Sequence, residues 1–350
     1  MTVPIDHSAS MDRSTLLERL GGSARRRPIL RFVVRRITAG LATLLVATVL
    51  IFLAVQALPS DVATAVLGKN ATPEAVARIH TELGLDRPLP QRYVEWLGGM
   101  VTGRFGNSTV SAAQGFEATP VWELIETPLR NSLLLALTTL VILVPLAILL
   151  GAAAALRAGR AADHAISVPA LALGAMPEFL IGTLLVVVFF TWLDLLPPLS
   201  QVLPGETPFS HPDRLVLPVA TLLGTSLSYT VRLVRAATID VLSQDFVAMA
   251  RLNGFREHRV IWRYVLRNAL APSVQAIAIT AQYLVGGIVV VESVFNYPGI
   301  GNALVQAVGS RDVQVIMVIT AIIAALTVAL NVLADFVVMV LVPRIRTVSA

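Results

Sequence analysis

Six times along this chain the charges stop for long enough to cross a bilayer. Between Arg36 and Asp61 lie 24 uncharged residues, 37–60. As a helix rising about 1.5 Å per residue they reach roughly 36 Å, more than the roughly 30 Å hydrocarbon core of a membrane. Comparable runs cover 132–156, 164–193 (interrupted only by Glu178), 215–231, 268–291 and 313–342 (interrupted only by Asp335). Hydrocarbon offers the backbone no water, so runs of this kind read as helices that satisfy their own hydrogen bonds. Composition agrees, with 55% hydrophobic and only 14% charged residues, against about a quarter charged in soluble domains. The sequence therefore predicts an all-α integral membrane protein with six transmembrane helices. The first run is too long for a secretory signal core and lacks a small-residue cleavage site, so it reads as a retained span.

Six spans place both termini on one side, and arginine identifies that side. Residues 1–36 hold eight arginines, 157–164 two, 232–267 seven and the tail beyond Val342 two, which makes nineteen of the chain's 27 positive charges. The largest segment on the other side, 57–131, sets eight acids against Lys69 and five arginines. Positive residues mark the cytoplasmic face, so both termini are expected to be cytoplasmic. The organisation expected is a cytoplasmic tail at 1–30, a first span at 31–58, an extracytoplasmic helical segment at 59–128, a five-helix membrane domain at 129–340 and a second cytoplasmic tail at 341–350. The first tail is polar and reads as disordered, with a surface anchor at "ARRRP" (24–28). In the outer segment, "TPEAVARIHTELGLD" predicts a helix from Thr72-Pro73 to a stop at Gly84. "QRYVEWLGGM" predicts a second, with Tyr93 and Trp96 suited to the interface.

Several chemistries are missing. No cysteine is present, which excludes disulfides and thiolate metal sites. A P-loop needs a lysine followed by a hydroxyl, and the sole lysine, Lys69, sits in "AVLGKN". The chain therefore carries no catalytic site and no cofactor or metal of its own, and any ATP-derived energy must come from another polypeptide.

The stretch "FVAMARLNGFREHRVIWRYVLRNALAP" (246–272) stands out between two apolar runs. Ser243 or Asp245 can cap a helix that carries Phe246, Met249, Ala250 and Asn253 at helical spacing. Gly254 stops it, as glycine does at a left-handed helix end. A second helix runs from about Glu257 to Leu270 and stops before Pro272. Val260, Ile261, Tyr264 and Val265 form one stripe of it, and Arg256, Arg259, Arg263 and Arg267 form another. Anchoring to lipid phosphates explains the arginines. It does not explain a capped helix, a turn glycine and the small residues Ala248 and Ala250, which a docking surface for a cytoplasmic protein requires. A DNA-reading helix-turn-helix lacks an independent core here, so nucleic acid is not an expected partner.

"AMARLNGFREHRVIWRYVLRNALAP" resembles the cytoplasmic coupling loop of ABC importer permeases, in the form found in dipeptide, oligopeptide and nickel permeases. Ala248, Ala250, Gly254 and Pro272 fit that pattern, while Met249 stands where the family has alanine. The likeness extends to "ELGLDRPLPQRYVEWLGGMVTGRFGNS" (82–108), "PVWELIETPLRNSLLLAL" (120–137), "VVVESVFNYPGIGNALVQAVGSRD" (289–312) and "LVPRIR" (341–346). The resemblance implies the type I ABC importer permease fold, with 129–340 as its membrane domain and 236–270 as its coupling loop. It implies a bacterial inner (plasma) membrane as the setting and three kinds of partner beside membrane lipid: a second homologous permease, two cytoplasmic ATPase subunits that hold ATP and Mg, and an extracytoplasmic solute-binding protein. The ATPase-coupling residues it implies are Asp245, Phe246, Ala248, Ala250, Arg251, Gly254, Phe255, Arg259 and Arg263.

Acids within spans are candidates for function, because a charged carboxylate at a bilayer centre costs about 2.5–3.5 kcal/mol on insertion scales. Glu178 and Glu292, with Asn296, are the substrate-pathway candidates, and Glu292 near the outer mouth is suited to a substrate amine. Asp335 near the inner end can bond Asn331 one turn away. The alternative function is a proton-coupled secondary transporter using Glu178, Glu292 and Asp335. Their different depths argue against such a relay.

Overall fold

A computed structural model of the chain describes residues 11–57, 72–82, 87–114, 119–203 and 205–341. Among these, regular structure is helical, with one isolated bridge between Asn107 and Pro120. Helix α1 (Met11–Gln56) contains the first span. The polar stretch expected to be an unstructured tail is thus helical from Met11, while residues 1–10 lie outside the described set. A span that is already helical needs only propagation, and "STLLERL" supplies good helix formers for it.

The outer segment contributes α2 (Pro73–Glu82), α3 (Leu89–Thr102) and α4 (Thr109–Gln114). The stop expected at Gly84 falls outside the described residues, as do Lys69 and the C-terminal tail. Tyr93 and Trp96 turn inward onto α1, their rings 5.5 and 6.1 Å from that of Phe52. The Tyr93 and Thr48 hydroxyls share a hydrogen bond of 3.0 Å.

The membrane domain begins with α5 (Val121–Leu156). The third apolar run is folded into two helices, α6 (Ala161–Gly174) and α7 (Glu178–Val186), bent by 109° at their break. Pro177 stands at the break, before Glu178, and a π-helical turn over Val187–Trp192 continues α7. Then follow α8 (Pro212–Leu242), α9 (Asp245–Leu252), α10 (Arg267–Val294), α11 (Ile300–Ser310) and α12 (Val313–Leu341). Five of these helices are long and apolar enough to cross a membrane, and the bent pair makes a sixth crossing if it counts as one span. The fourth span is longer than its uncharged core suggests, because α8 carries Arg232 and Arg235 well inside its length.

Leu135 and Leu143 of α5, Leu217 and Leu222 of α8, and Leu284 and Val291 of α10 form the central core. Lipid tails are as apolar as leucine, so burial alone does not drive such helices together, and close packing and hydrogen bonds must contribute. Ala147, Ala154 and Ala155 are accordingly buried on α5, and Thr230 of α8 meets Thr280 of α10 at 2.8 Å. At the end of the bundle that carries α4 and α11, Asp312 joins two helix starts. It accepts the Thr109 N–H of α4 (3.0 Å), the Val315 N–H of α12 (3.3 Å) and the Ser108 hydroxyl. A carboxylate suits two helix N-termini, where unpaired N–H groups and the helix dipole converge.

Candidate functional site

The loop between α8 and α10 is a small folded unit. Only Ser243 and Gln244 separate α8 from α9. Neither expected cap is used: Ser243 donates to the Asp240 carbonyl at the end of α8 (2.8 Å), and Gln244 holds the cap position without a side-chain bond. Asp245 lies in the first turn, where its charge meets the helix dipole. The far end closes as the sequence predicts. Gly254 has φ +74°, its N–H bonds the Arg251 carbonyl (2.9 Å), and the Phe255 N–H reaches back to Ala250 (3.3 Å). This paired closure needs a left-handed residue, which glycine supplies without steric cost.

Beyond the turn, Glu257–Arg259 and a π-helical Val260–Leu266 lead without a break into α10. The helix expected to stop before Pro272 runs through it. Membrane helices tolerate an internal proline where neighbouring groups satisfy the backbone, and Pro272 stands at the start of the apolar span Pro272–Val294. Val247, Ala250, Val260 and Val265 are buried together, with Val241, Leu242 and Tyr264 against them. Ala250 is therefore not on a docking face; it lets α9 lie close against the basic helix. The opposite side of α9 carries Ala248 and an unpartnered apolar row, Phe246, Met249 and Leu252, which are 42%, 58% and 82% exposed. Arg251 makes two bonds to Glu257 (2.7 and 3.2 Å). Arg259 lies over the Phe255 ring (5.2 Å), which stacks on Tyr264. Arg263 is exposed on the outward side.

The span acids do not meet. Glu178, at the start of α7, accepts the Tyr283 hydroxyl of α10 at 2.6 Å. Glu292 is fully buried, which removes it from any solute path. It accepts the Ser132 hydroxyl of α5 and the N–H groups of Gly301 (2.7 Å) and Asn302 (3.4 Å), capping α11. A Cβ at Gly299 would collide with this carboxylate, so glycine there makes the cap possible. Asn296 is exposed, with φ +48°, and accepts the Asn302 side-chain amide (3.0 Å), so it shapes the turn into α11. Asp335 pairs with Arg36 of α1 at 3.1 Å rather than with Asn331. Each acid has its own local partner, and the rival proton relay finds no support.

Sequence reasoning missed the tightest ion pair. Asp163 of α6, buried, takes two bonds from Arg235 of α8 (2.7 and 2.6 Å), one from the Gly159 N–H (2.9 Å) and one from Ser167 (3.0 Å). Its partner lies 72 residues away, and Asp163 sits in an arginine-rich loop where it reads as a solvated charge. The signal available was Arg232 and Arg235 on successive turns of one helix. This pair ties α8, and so α9, to the bent α6–α7 helices.

The profile of the binding-protein-dependent transport system inner membrane component matches residues 147–347, and that of the N-terminal part of such membrane components matches 29–128. A probable peptide ABC transporter permease protein of Sinorhizobium fredii is 32% identical over 90% of this chain and 99% of its own length. A putative peptide permease protein of Brucella ovis is 37% identical over 91% and 99%. The oligopeptide transport system permease protein AppB of Bacillus subtilis is 34% identical over 90% and 99%.

Proposed function

This chain belongs to the family of binding-protein-dependent transport system inner membrane components, and from that premise we propose that it forms half of the membrane path for di- or oligopeptides in an ATP-driven importer. It is a multi-pass permease subunit with the type I importer fold, and ATP hydrolysis belongs to separate subunits. The exposed apolar row on α9 carries the reading. A helix that buries one face on its own loop and leaves Phe246, Met249 and Leu252 bare is built to receive another protein.

In this reading two ATPase subunits, holding ATP and Mg, dock on this chain and on a second, homologous permease. A solute-binding protein delivers cargo at the outer face, and both termini are cytoplasmic. Movement of the ATPase would pass from α9 through two residues to α8, and through Asp163–Arg235 to the bend before Glu178. Peptide cargo is supported by the curated relatives named above.

The absence of cysteine permits a direct experiment. Ala248→Cys places one exposed thiol on α9. It should react with a membrane-impermeant maleimide in inverted vesicles but not in intact cells, and should cross-link to the ATPase subunit in the assembled complex. Reaction from outside intact cells reverses the orientation. Inside labelling with no ATPase cross-link removes the docking role.

A further inference from the structure

Two adjoining cavities lie along the face where α6, α8 and α10 meet, with volumes of about 490 and 240 Å³. Leu171, Ser228 and Arg232 line both, so Arg232 stands where one opens into the other. The smaller cavity ends at Asp163 and Arg235, which hold each other. The larger reaches Tyr229 and Tyr283, 36% and 56% exposed, in the middle of their helices. It is also lined by Ser226, whose buried hydroxyl has no partner.

This face is too polar for lipid. An arginine, two tyrosines and a serine presented to hydrocarbon at this position would be strongly disfavoured, whereas residues of this kind line water-filled or solute paths. The exposed Arg232 guanidinium has no hydrogen-bond or ion-pair partner among the described residues. Every neighbouring charge is engaged: Asp163 with Arg235, Glu178 with Tyr283, and the His164 ring against the Arg160 carbonyl. A free cation with the Tyr229 hydroxyl beside it, in a cavity of ligand size, selects an anion that accepts hydrogen bonds.

We propose that Arg232 is a carboxylate-recognition point on the solute path, holding the C-terminal carboxylate of a peptide between mid-span and the cytoplasmic exit. Tyr229 supplies a flanking donor, while the Tyr283 hydroxyl stays committed to Glu178, and release toward the cytoplasm follows when the α6–α8 face shifts. The inference rests on the peptide-import reading and adds a chemical selectivity within the membrane.

The test uses the assembled importer in proteoliposomes, with a tripeptide carrying benzoylphenylalanine, prepared as the free acid and as the C-terminal amide. After photolysis, the free acid should label the segments 225–232 and 279–283 in the wild-type complex. Labelling should fall about tenfold in Arg232→Gln, the scale of one charge-assisted hydrogen bond. It should recover in Arg232→Lys, and the amide should label the wild type as weakly as the acid labels Arg232→Gln. Equal labelling by acid and amide overturns the carboxylate site. So does unchanged labelling in Arg232→Gln, or labelling elsewhere in the chain. If Arg232→Gln instead releases the second permease, the arginine is an interface contact and the proposal fails. A wild-type importer that takes up no peptide removes the import reading itself, which is a different result from one that takes up peptide without discriminating acid from amide.

Discussion

Glu292 and Asp312, at the outer end of the bundle, are buried carboxylates that each collect a serine hydroxyl and backbone N–H groups. Arg251 and Glu257, at the inner end, pair in open solvent, and four small buried side chains hold α9 to its loop. The outer end ties together elements up to 209 residues apart in sequence. The α9 unit draws almost wholly on a local stretch of about two dozen residues. Such a difference fits the proposed division between a scaffold that keeps its shape and a coupling element that a partner would complete. Local units with few buried contacts are also those that open and move most readily.

The largest effect should come from the outer end. Glu292→Ala strands the Ser132 hydroxyl and the Gly301 N–H in a buried site. Each orphaned group costs about 1–3 kcal/mol, so the expected loss is on the order of 3 kcal/mol or more. It should appear as a marked drop in melting temperature followed by tryptophan fluorescence in detergent. Glu292→Gln, which keeps an acceptor, should fall between. A melting temperature equal to wild type would show that the outer latch is not what makes this end rigid.

Gly254→Val acts on the inner end. A β-branched residue at φ +74° costs about 1–2 kcal/mol, and that strain bears on a turn with little else to hold it. Melting temperature and membrane abundance should stay near wild type while ATPase recovered by pull-down falls about tenfold and peptide uptake fails. Gly254→Asn should lie in between, since asparagine accepts left-handed backbone more readily. Wild-type ATPase capture by the valine variant would mean that the angle of α9 is not what the partner reads.

The same contrast governs what could be read from sequence. Spans are legible because lipid imposes one rule over twenty residues at a time, and the helix-turn-helix shape of the loop around Gly254 because its signals, the glycine and two stripes, are all local. The roles of Glu292, Asp312 and Asp163 depend on partners 160, 204 and 72 residues away. Glu292 looked like a pathway acid because depth is visible in sequence and burial is not. The nearby Gly299 and Gly301 were the only hint that backbone would close around it. Pro272 misled for another reason: a proline weakens a helix without always ending it, and α10 runs through it at the start of its apolar span.

Arg259 and Arg263 separate anchoring from docking. Arg259 is committed to the Phe255 ring, a contact worth about 0.5–1 kcal/mol at an exposed site, and so helps hold the turn beside α9. Arg259→Gln should weaken ATPase capture two- to fivefold, at matched permease levels, with membrane abundance unchanged. Arg263→Gln should leave capture unchanged and lower only the recovery of protein with anionic lipid. If both variants lower abundance and neither alters capture, the basic stripe serves lipid alone.

The smallest effect belongs to Arg251 and Glu257. Arg251 holds the Glu257 carboxyl below its ordinary value, chiefly through their hydrogen bonds, and Glu257 in turn raises Arg251. A depressed carboxylate contributes stability above its unfolded pKa, about 4.3, and loses it as pH falls through the lower folded value. Between about pH 6 and 8 the contribution is therefore constant, and acid alone removes it. Both side chains are about half exposed, so screening keeps the pair to about 0.5 kcal/mol or less. Amide exchange across α9 reads this directly. At neutral pH Glu257→Gln should speed it by less than about threefold, and raising salt from about 0.05 to 0.5 M should have a similar effect on wild type and none on the variant. Acceleration of a hundredfold would place α9 under the control of this ion pair. The inner end would then be as dependent on a single carboxylate as the outer one, and its freedom to move would need another cause.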